Sequence, residues 1–224
     1  TEVKRGLIDH VPELAIADIL GSTEGGMGQS IMTKDTPASE TAKFTLLPVA
    51  KVLVPDGSRE VTAGSGEVGM VAQGGMVPLG YYKDPEKSAK TFKEVDGKRY
   101  AFIGDMATVE ADGTINLLGR GSNCINTGGE KVFPEEVEEA LKLHADVADA
   151  LVFGLEDERF GNRVAGVVSL EQGGAAEAGD ILEATRKLLA SYKLPKDLLV
   201  VPVVPRAPNG KADYKTAKSM MAGD

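Results

Sequence analysis

A double glycine and an arginine lie close together in the stretch "GRGSNCINTGGEKVFPEEVEEAL", residues 119–141. Gly128 and Gly129 offer a backbone without β-carbons, to which another group can come close. Arg120 adds a cation, and Gly121 beside it is a point where the chain can bend. Adjacent glycines are also common in simple tight turns, so the residue types alone leave both a ligand-binding role and a purely structural role open.

A second candidate for ligand binding is the basic segment 186–218. It holds eight basic residues against two acidic ones, a charge of +6, whereas residues 1–185 sum to −14. A cationic segment on an acidic chain suits a small polyanionic ligand, although a solvated basic surface fits the charge pattern equally well. The eight basic residues are Arg186, Lys187, Lys193, Lys196, Arg206, Lys211, Lys215 and Lys218.

Composition argues against several classes of protein. The net charge of the 224 residues is −9, and because nucleic acids favour cationic surfaces we expect no nucleic-acid partner. A single cysteine, Cys124, and two distant histidines do not give a zinc site. No apolar run approaches the roughly 18 residues that a membrane span needs, and the start of the chain lacks the apolar core of a signal peptide. We therefore expect a soluble, cytoplasmic protein without a transmembrane segment.

The hydrophobic pattern predicts a mixed α/β and α+β fold in two parts that meet near residue 120. In residues 1–47, the apolar run "AIADIL" predicts a buried strand that ends in the glycine-rich loop "GSTEGG", as in an open α/β sheet. Residues 48–119 show short β runs separated by turn signals, which predicts a small barrel-like subdomain. Asp112 and Gly113 mark a hairpin turn within it.

Residues 120–224 predict a compact α+β domain with its own core. Pro134 suits the first position of a helix, and Val137, Ala140, Leu141 and His144 share one helical face. Three strands are expected at "DALVFGL", "RVAGVVSL" and "DLLVVPVV". A second amphipathic helix is expected from Ile181, Ala184, Leu188, Leu189 and Tyr192.

Four segments then carry a family resemblance, and they occur in the family's order: "LGSTEGG" (20–26), "GYYKDPEKSAKTF" (80–92), "GDMATVEADGTINLLGRGSNCINTGGEKVFPEEVE" (104–138) and "PRAPNGK" (205–211). Together they closely resemble the adenylate-forming superfamily, specifically its acyl-CoA synthetase (fatty-acid–CoA ligase) branch. Such enzymes use ATP to activate a carboxylic acid as an acyl-adenylate, and then pass the acyl group to the thiol of coenzyme A. The resemblance implies ATP, Mg²⁺, coenzyme A and a small-molecule carboxylic acid, expected to be a fatty acid or another apolar acid, as the molecules bound.

The resemblance also assigns roles to residues around the reacting phosphate. Adenylation brings anions together, so the site must supply cations and hydrogen-bond donors. Lys211 matches the lysine that bridges the carboxylate and the α-phosphate. Catalytic roles are likewise expected for Thr23, through its hydroxyl, and for Glu24, as the Mg²⁺ ligand. The expected nucleotide-binding residues are Gly21, Ser22, Thr23, Asp105 and Arg120, with Asp105 on the ribose hydroxyls, and Gly25 and Gly26 leave space for the acyl group.

The double glycine obtains a role from the same resemblance. Gly128, Gly129 and Glu130 match the segment that lines the channel for the pantetheine arm of coenzyme A. The C-terminal domain of this family swings about a pivot just after the arginine, which here corresponds to Gly121 and Ser122. The family usually has Asp or Lys at the pivot, so the position is carried over and the side-chain role is not.

The phosphate loop that family enzymes carry upstream of "STE" is missing from these residues. We therefore expect residues 1–119 to be the C-terminal part of the large adenylation lobe, residues 120–224 to be the mobile domain, and the chain alone to be inactive in adenylation. Exposed apolar edges make a homo-oligomer plausible. Two alternatives are a non-catalytic nucleotide-binding, coenzyme A-binding or docking fragment, and the adenylation module of a peptide synthetase.

Overall fold

A computed structural model describes residues 2–36 and 43–222 of the chain. The contacts divide the chain into two units, one ending at Leu118 and the other beginning at Gly119. None of the described helices is long and apolar enough to cross a lipid bilayer. The two units are called the first unit and the second unit below.

The first unit is built on one sheet of eight strands. The strand order is β1-β2-β3-β8-β7-β5-β4, and β6 pairs with β7. Within the described residues no pairing joins β1 to β4, so the barrel-like subdomain that we predicted is an open sheet, continuous with the strands of residues 1–47. The elements are α1 (Glu2–His10), β1 (Ile16–Ser22), β2 (Gly25–Met32), β3 (Lys43–Leu46), β4 (Ala50–Leu53), β5 (Gly69–Gln73), α2 (Pro85–Thr91), β6 (Phe92–Val95), β7 (Lys98–Val109) and β8 (Ile115–Arg120).

Local sequence signals explain several boundaries of the first unit. Helix α2 begins at Pro85 because proline suits the first helical turn, and the Asp84 carboxylate accepts a hydrogen bond from the Lys87 amide at 2.9 Å. The turn between β7 and β8 contains Gly113, whose φ of 82° glycine adopts without strain. The predicted hairpin around Asp112 and Gly113 is confirmed.

The glycine-rich segment is organised differently from our expectation. Strand β1 does not end in a loop at Leu20; it continues to Ser22 and pairs antiparallel with β2, which begins at Gly25. Thr23 and Glu24 are therefore the two turn residues of a tight hairpin. Periodicity could not show this, because glycine and serine carry no hydrophobic signal that would mark them as strand residues.

The second unit also contains one sheet, with helices on both sides. Strand β12 pairs antiparallel with β11 along one edge, and with β9 and the parallel strand β13 along the other. Two short 3-10 turns connect elements at Gly121–Asn123 and Ser191–Lys193. The other elements are β9 (Ile125–Thr127), β10 (Glu130–Val132), α3 (Pro134–Leu141), β11 (Val147–Asp157), β12 (Gly161–Leu170), α4 (Ala178–Thr185), β13 (Asp197–Val200) and α5 (Tyr214–Ala222).

The core of the second unit lies on both faces of β11 and β12. Ala150 and Val152 face α3 and α4, while Leu151 and Phe153 face α5, because successive strand residues point to opposite faces. Burial on both faces explains why these strands read as continuous apolar runs in the sequence. The three predicted strands and the helix at Pro134 are confirmed.

Two expectations for helices are corrected, and two helices were not foreseen. Helix α4 ends at Thr185, so the predicted face beyond it does not exist, and Leu188 is exposed. His144 lies after the end of α3, where its ring Nδ1 accepts a hydrogen bond from the Asp146 amide at 3.2 Å. Helices α1 and α5 were missed because each is a polar segment with only a few apolar positions. The mixed fold class itself is confirmed.

Candidate functional site

The turn of the first hairpin presents the predicted phosphate and metal ligands. The Glu24 amide donates a hydrogen bond to the Ser22 hydroxyl at 3.1 Å, and the Thr23 hydroxyl donates to the Glu24 carboxylate at 3.2 Å. Thr23 is exposed, whereas Ser22 and Glu24 are half-buried. The hydroxyls and the carboxylate therefore lie within two residues of one another at the tip of a rigid turn.

Tyr81 is a part of this site that the sequence did not reveal. Its hydroxyl donates a hydrogen bond to Glu24 Oε1, and this bond is the main reason that the pKa of Glu24 lies below its ordinary value. The Tyr81 ring lies 5.3 Å from the ring of Phe92 and 4.1 Å from the ammonium group of Lys87, and its amide donates to Ser88 Oγ at 2.7 Å. A tyrosine held in this way keeps Glu24 ionised and fixed in direction.

Gly25 and Gly26 follow the turn and have different surroundings. A β-carbon at Gly25 would come within 2.2 Å of the Gln73 side chain, and the Gly25 φ of +148° also disfavours any other residue. At Gly26 the nearest atom to such a β-carbon is Leu47 Cδ1 at 3.5 Å, an ordinary contact. Gly25 is therefore required by the fold. Gln73 is 6% exposed, and its side-chain oxygen has no hydrogen-bond partner within the described residues.

Asp105 lies in a bulge of β7. Met70 of β5 pairs with Met106, and Ala72 pairs with Phe102, so three residues of β7 oppose Val71 alone. Gly104 takes a φ of +96° to allow this bulge. Bulges redirect side chains from the regular alternation of a strand. The pairing places the bulge two residues along β5 from Gln73, which contacts the first hairpin, so Asp105 and the "GSTEGG" turn belong to neighbouring parts of one sheet.

In the second unit, the chain after Arg120 is held against helix α3. The Arg120 amide donates a long hydrogen bond of 3.4 Å to Glu135 Oε1, and the Glu135 carboxylate covers Gly119, whose φ is +125°. Gly121 and Ser122 form a 3-10 turn in which Ser122 is exposed. Burial raises the pKa of the Cys124 thiol that follows, so this cysteine is not activated as a nucleophile.

The double glycine forms the two-residue turn of the β9–β10 hairpin, in which Glu130 pairs with Thr127. Gly128 and Gly129 have φ values of +59° and +92°, as the favoured type of hairpin turn requires. The Gly128 amide donates to the Phe160 carbonyl at 3.0 Å, and a β-carbon on Gly128 would lie 3.2 Å from the Phe160 ring. A groove of about 650 Å³ lies beside this turn. Gly128 thus belongs both to the hairpin turn and to the lining of the groove.

Lys211 is exposed and lies in a short loop between β13 and α5. The Gly210 amide donates to the Ala207 carbonyl and the Ala207 amide to the Lys211 carbonyl, both at 2.8 Å, and the Lys211 amide donates to Asn209 Oδ1 at 3.2 Å. At the base of the loop, Arg206 donates two hydrogen bonds of 2.7 Å to the carboxylate of Asp149 in β11. The loop therefore has a defined shape and a charged anchor.

A group of titratable side chains lies close to this anchor. Burial raises the pKa of Glu138 in α3 to about 7, although its Oε1 accepts a hydrogen bond from the Val152 amide at 2.9 Å. Burial, with the charges of Glu138 and Glu135, raises the pKa of Tyr214 to about 12. Burial alone would raise the pKa of Asp149, but the hydrogen bonds from Arg206 and Ala150 outweigh this effect and lower the pKa.

The structure thus distributes the predicted site residues over two groups. The hairpin turn, Gly25, Gly26 and Asp105 belong to the sheet of the first unit. Arg120, the double glycine and Lys211 belong to the second unit, where Arg120 ends strand β8 and the other two lie on separate turns. The sequence missed Tyr81, Gln73 and Arg206 as neighbours of these residues. The "PRAPNGK" motif contains Arg206, but nothing in the sequence indicates its pairing with Asp149, 57 residues away.

Comparison with known proteins shows which family has these features. Residues 136–211 match the C-terminal domain of AMP-binding enzymes. The chain is 46% identical over 221 residues to a medium/long-chain-fatty-acid–CoA/3-oxocholest-4-en-26-oate–CoA ligase of Mycolicibacterium smegmatis, covering 98% of the chain and 40% of the relative. It is 45% identical over 219 residues to a 3-oxocholest-4-en-26-oate–CoA ligase of Rhodococcus rhodochrous, covering 96% of the chain and 39% of the relative. The chain therefore spans about two fifths of the length of these curated relatives.

A solved structure agrees with this result. The ATP-bound structure of MatB from Rhodopseudomonas palustris superimposes with a TM-score of 0.75 at 27% identity, over 90% of this chain and 39% of that one. The similarity in sequence and in fold thus covers both units. The chain belongs to the adenylate-forming superfamily of AMP-binding enzymes.

Proposed function

We propose that this chain is the C-terminal part of an ATP-dependent acid–CoA ligase. In the first half-reaction, a carboxylate oxygen attacks the α-phosphorus of ATP, the bond between that phosphorus and its bridging oxygen to the β-phosphate breaks, and pyrophosphate leaves. In the second, the sulfur of coenzyme A attacks the acyl carbon, the thiol proton is lost, and AMP leaves. The high identity to acyl-CoA ligases over nearly the whole chain supports this assignment.

The turn at Thr23 would hold the phosphates. Gly21, Ser22 and Thr23 bring two hydroxyls and a bare backbone to the hairpin tip, which suits hydrogen bonding to an anion. Glu24 would serve as the protein ligand of Mg²⁺, since its carboxylate is ionised and fixed by Tyr81. Among the described residues no three acidic, histidine or cysteine side chains form a metal cluster. A single carboxylate fits Mg²⁺, which usually takes its other ligands from phosphates and water.

The remaining nucleotide contacts are assigned to Asp105 and Arg120. An ionised carboxylate is a pure acceptor, which is what two ribose hydroxyls require, and the bulge of β7 offers a way to turn the Asp105 side chain out of the regular strand pattern. Arg120 adds a positive charge at the start of the second unit. Gly26 would face the acyl group, since a β-carbon there would meet only Leu47 at 3.5 Å, whereas the Gln73 side chain already fills the space at Gly25.

Lys211 is the residue on which the proposal mainly depends. An exposed ammonium group on a well-formed loop, inside the segment that matches the family domain, can be delivered to a pair of anions. Its charge would stabilise the phosphorane-like transition state of the first half-reaction, where carboxylate and α-phosphate meet. The second half-reaction expels AMP from a carbonyl carbon and needs this charge far less.

The double glycine would serve the second half-reaction. Gly128, Gly129 and Glu130 form a narrow turn beside a groove, which suits an extended pantetheine arm. Gly121 and Ser122 are proposed as the pivot between the two half-reactions, because they lie in an exposed short turn close to the boundary of the two units.

The acid is proposed to be apolar. The relatives act on medium- and long-chain fatty acids and on 3-oxocholest-4-en-26-oate, a steroid acid, as their names state. A requirement for ATP and coenzyme A favours work in the cytoplasm. Self-association is also proposed, since Ile19 and Ile31 lie on one exposed face of the first hairpin with 68% and 56% of their surfaces accessible.

The test is ATP–pyrophosphate exchange by the longest natural form of the protein that contains this chain. Lys211→Ala should reduce exchange by about 100-fold or more, while thioester formation from a preformed acyl-adenylate changes little. Lys215→Ala, which removes a neighbouring exposed charge, is the matched control. Unchanged exchange in the Lys211 variant would favour a non-catalytic binding role. The 224-residue chain alone should not catalyse exchange.

A further inference from the structure

The loop that carries Lys211 is shaped by its own backbone, and a side chain at its base connects it to the sheet. The hydrogen bonds among Ala207, Gly210 and Lys211 close the loop on itself and fix its internal form, while Val204 and Ala212 on either side of it pack against the core. Arg206 lies at the base of the loop, where it forms an isolated β-bridge with Ala212 on the returning segment of the chain. Its guanidinium group reaches away from the loop to Asp149 of β11.

The contact between Arg206 and Asp149 is a bidentate ion pair. Arg206 Nε and Nη2 donate to Asp149 Oδ2 and Oδ1, each at 2.7 Å, so both planar groups are fixed in distance and in rotation. Arg206 Nη1 also lies 3.5 Å from the Gly210 carbonyl, on the turn itself. One guanidinium therefore joins the tip of the loop, the base of the loop and a core strand.

Asp149 is well placed to fix the orientation of Arg206. It lies in β11 directly before the buried run of residues 150–153, and its Oδ1 also accepts a hydrogen bond from the Ala150 amide at 2.9 Å. The carboxylate is thus fixed by the strand before Arg206 binds it. An anchor on a core strand transmits the orientation of the sheet to the loop.

We propose that Arg206 and Asp149 are positioning residues for Lys211, and that their bidentate pair sets the direction in which the loop presents the lysine. This inference rests on the proposed function, because it assigns the ion pair to the adenylation step. Neither residue needs to touch ATP. The lysine must meet its anions within a fraction of an ångström, and misplacement by about 1 Å can cost roughly 100-fold in rate.

The experiment compares two conservative variants in both half-reactions. Arg206→Lys keeps the charge but loses the planar fork, and Asp149→Asn keeps the shape and the bond from Ala150 but loses the charge. Each should reduce the kcat of ATP–pyrophosphate exchange by about 10- to 100-fold, with the KM for ATP changed less than about threefold. Conversion of a preformed acyl-adenylate to the thioester should change by less than about threefold.

A matched control comes from the first unit. Arg59 forms a similar two-bond pair with Glu67, at 2.9 and 2.7 Å, and the pair lies on the surface. Arg59→Lys should leave both half-reactions unchanged. If the Arg206 and Asp149 variants slow both half-reactions equally, in proportion to a loss of melting temperature, the pair is only structural and the inference is overturned.

Lys211→Ala, measured in the same assay, distinguishes a failure of this inference from a failure of the proposed function. Loss of exchange in the Lys211 variant, with wild-type exchange in Arg206→Lys and Asp149→Asn, would overturn the positioning role alone. Wild-type exchange in the Lys211 variant would overturn the proposed function itself. A variant that does not fold is replaced by its partner variant, since either one breaks the bidentate geometry.

Discussion

The carboxyl group of Glu138 should make the stability of the protein depend on pH near neutrality. Burial raises the pKa of this group from 4.5 to about 7, and the negative charge of Glu135 acts in the same direction. The folded state therefore favours the protonated form, whereas the unfolded chain loses its proton near pH 4.5. The stabilisation is complete below the unfolded pKa and is lost as the pH rises to about 7, above which the fold holds a partly buried charge.

Replacing Glu138 with glutamine should remove this dependence. Glutamine keeps an oxygen that can accept the hydrogen bond from the Val152 amide, which is 2.9 Å long in the native protein. A shift of this size corresponds to about 3 kcal/mol at most, and because the side chain is only partly shielded from water we expect about 1–3 kcal/mol. At pH 8 the Glu138→Gln variant should be more stable than the native protein by this amount, and at pH 4 the difference should vanish.

The assay is chemical unfolding at a series of pH values, with the free energy of unfolding taken at each. Glu139→Gln is the control, since this neighbour on the same helix is exposed and pairs with Lys142 at the surface. Its replacement should change the stability by no more than about 0.5 kcal/mol. A difference between Glu138→Gln and the native protein that stays constant from pH 4 to pH 8 would refute the reasoning.

Three further outcomes are expected. Tyr81→Phe removes the hydroxyl that holds Glu24, so the Mg²⁺ concentration for half-maximal ATP–pyrophosphate exchange should rise about tenfold; an unchanged requirement would contradict a metal role for Glu24. Gly128→Ala should lower stability by about 1–2 kcal/mol, since φ there is +59°. Gly25→Ala should lower stability by more than about 2 kcal/mol, because the new β-carbon would lie 2.2 Å from the Gln73 side chain. Gly26→Ala should lower stability only slightly, because its β-carbon would meet only Leu47, at 3.5 Å. Melting curves of the variants measure all three glycine changes.

Local chemistry made part of the fold predictable from the sequence. Pro134 and Pro85 begin helices, and Asp112 with Gly113 turns a hairpin, because each acts through its own backbone or its nearest neighbours. The strands β11 and β12 were predictable for a different reason. Their apolar runs are long, and burial on both faces leaves no polar interruption.

Long-range pairing was not predictable in the same way. In the "GSTEGG" hairpin, Gly25 packs against Gln73 of a strand 48 positions later, and no local signal in the sequence indicates that contact. Helix α4 ends at Thr185 although Leu188 and Tyr192 continue its apolar period, since those side chains find no core to pack against and remain exposed. Periodicity therefore identifies faces that can be buried, and tertiary contacts decide which of them are.

In the candidate site, too, the motifs identify some residues and leave out others. The motifs name the groups that would touch the reactants, such as Glu24 and Lys211, because the reaction limits their chemical type. Tyr81 contacts Glu24, and the Arg206–Asp149 pair contacts the loop that carries Lys211, instead of the reactants. The reaction therefore does not limit their residue type, and in another fold other residues could hold the reacting groups in place. Their effect is nevertheless large in principle, because an electrostatic catalyst depends on charges that are already in place when the reactants meet. Substitution of these supporting residues is thus the most direct way to separate the presence of a charge from its placement.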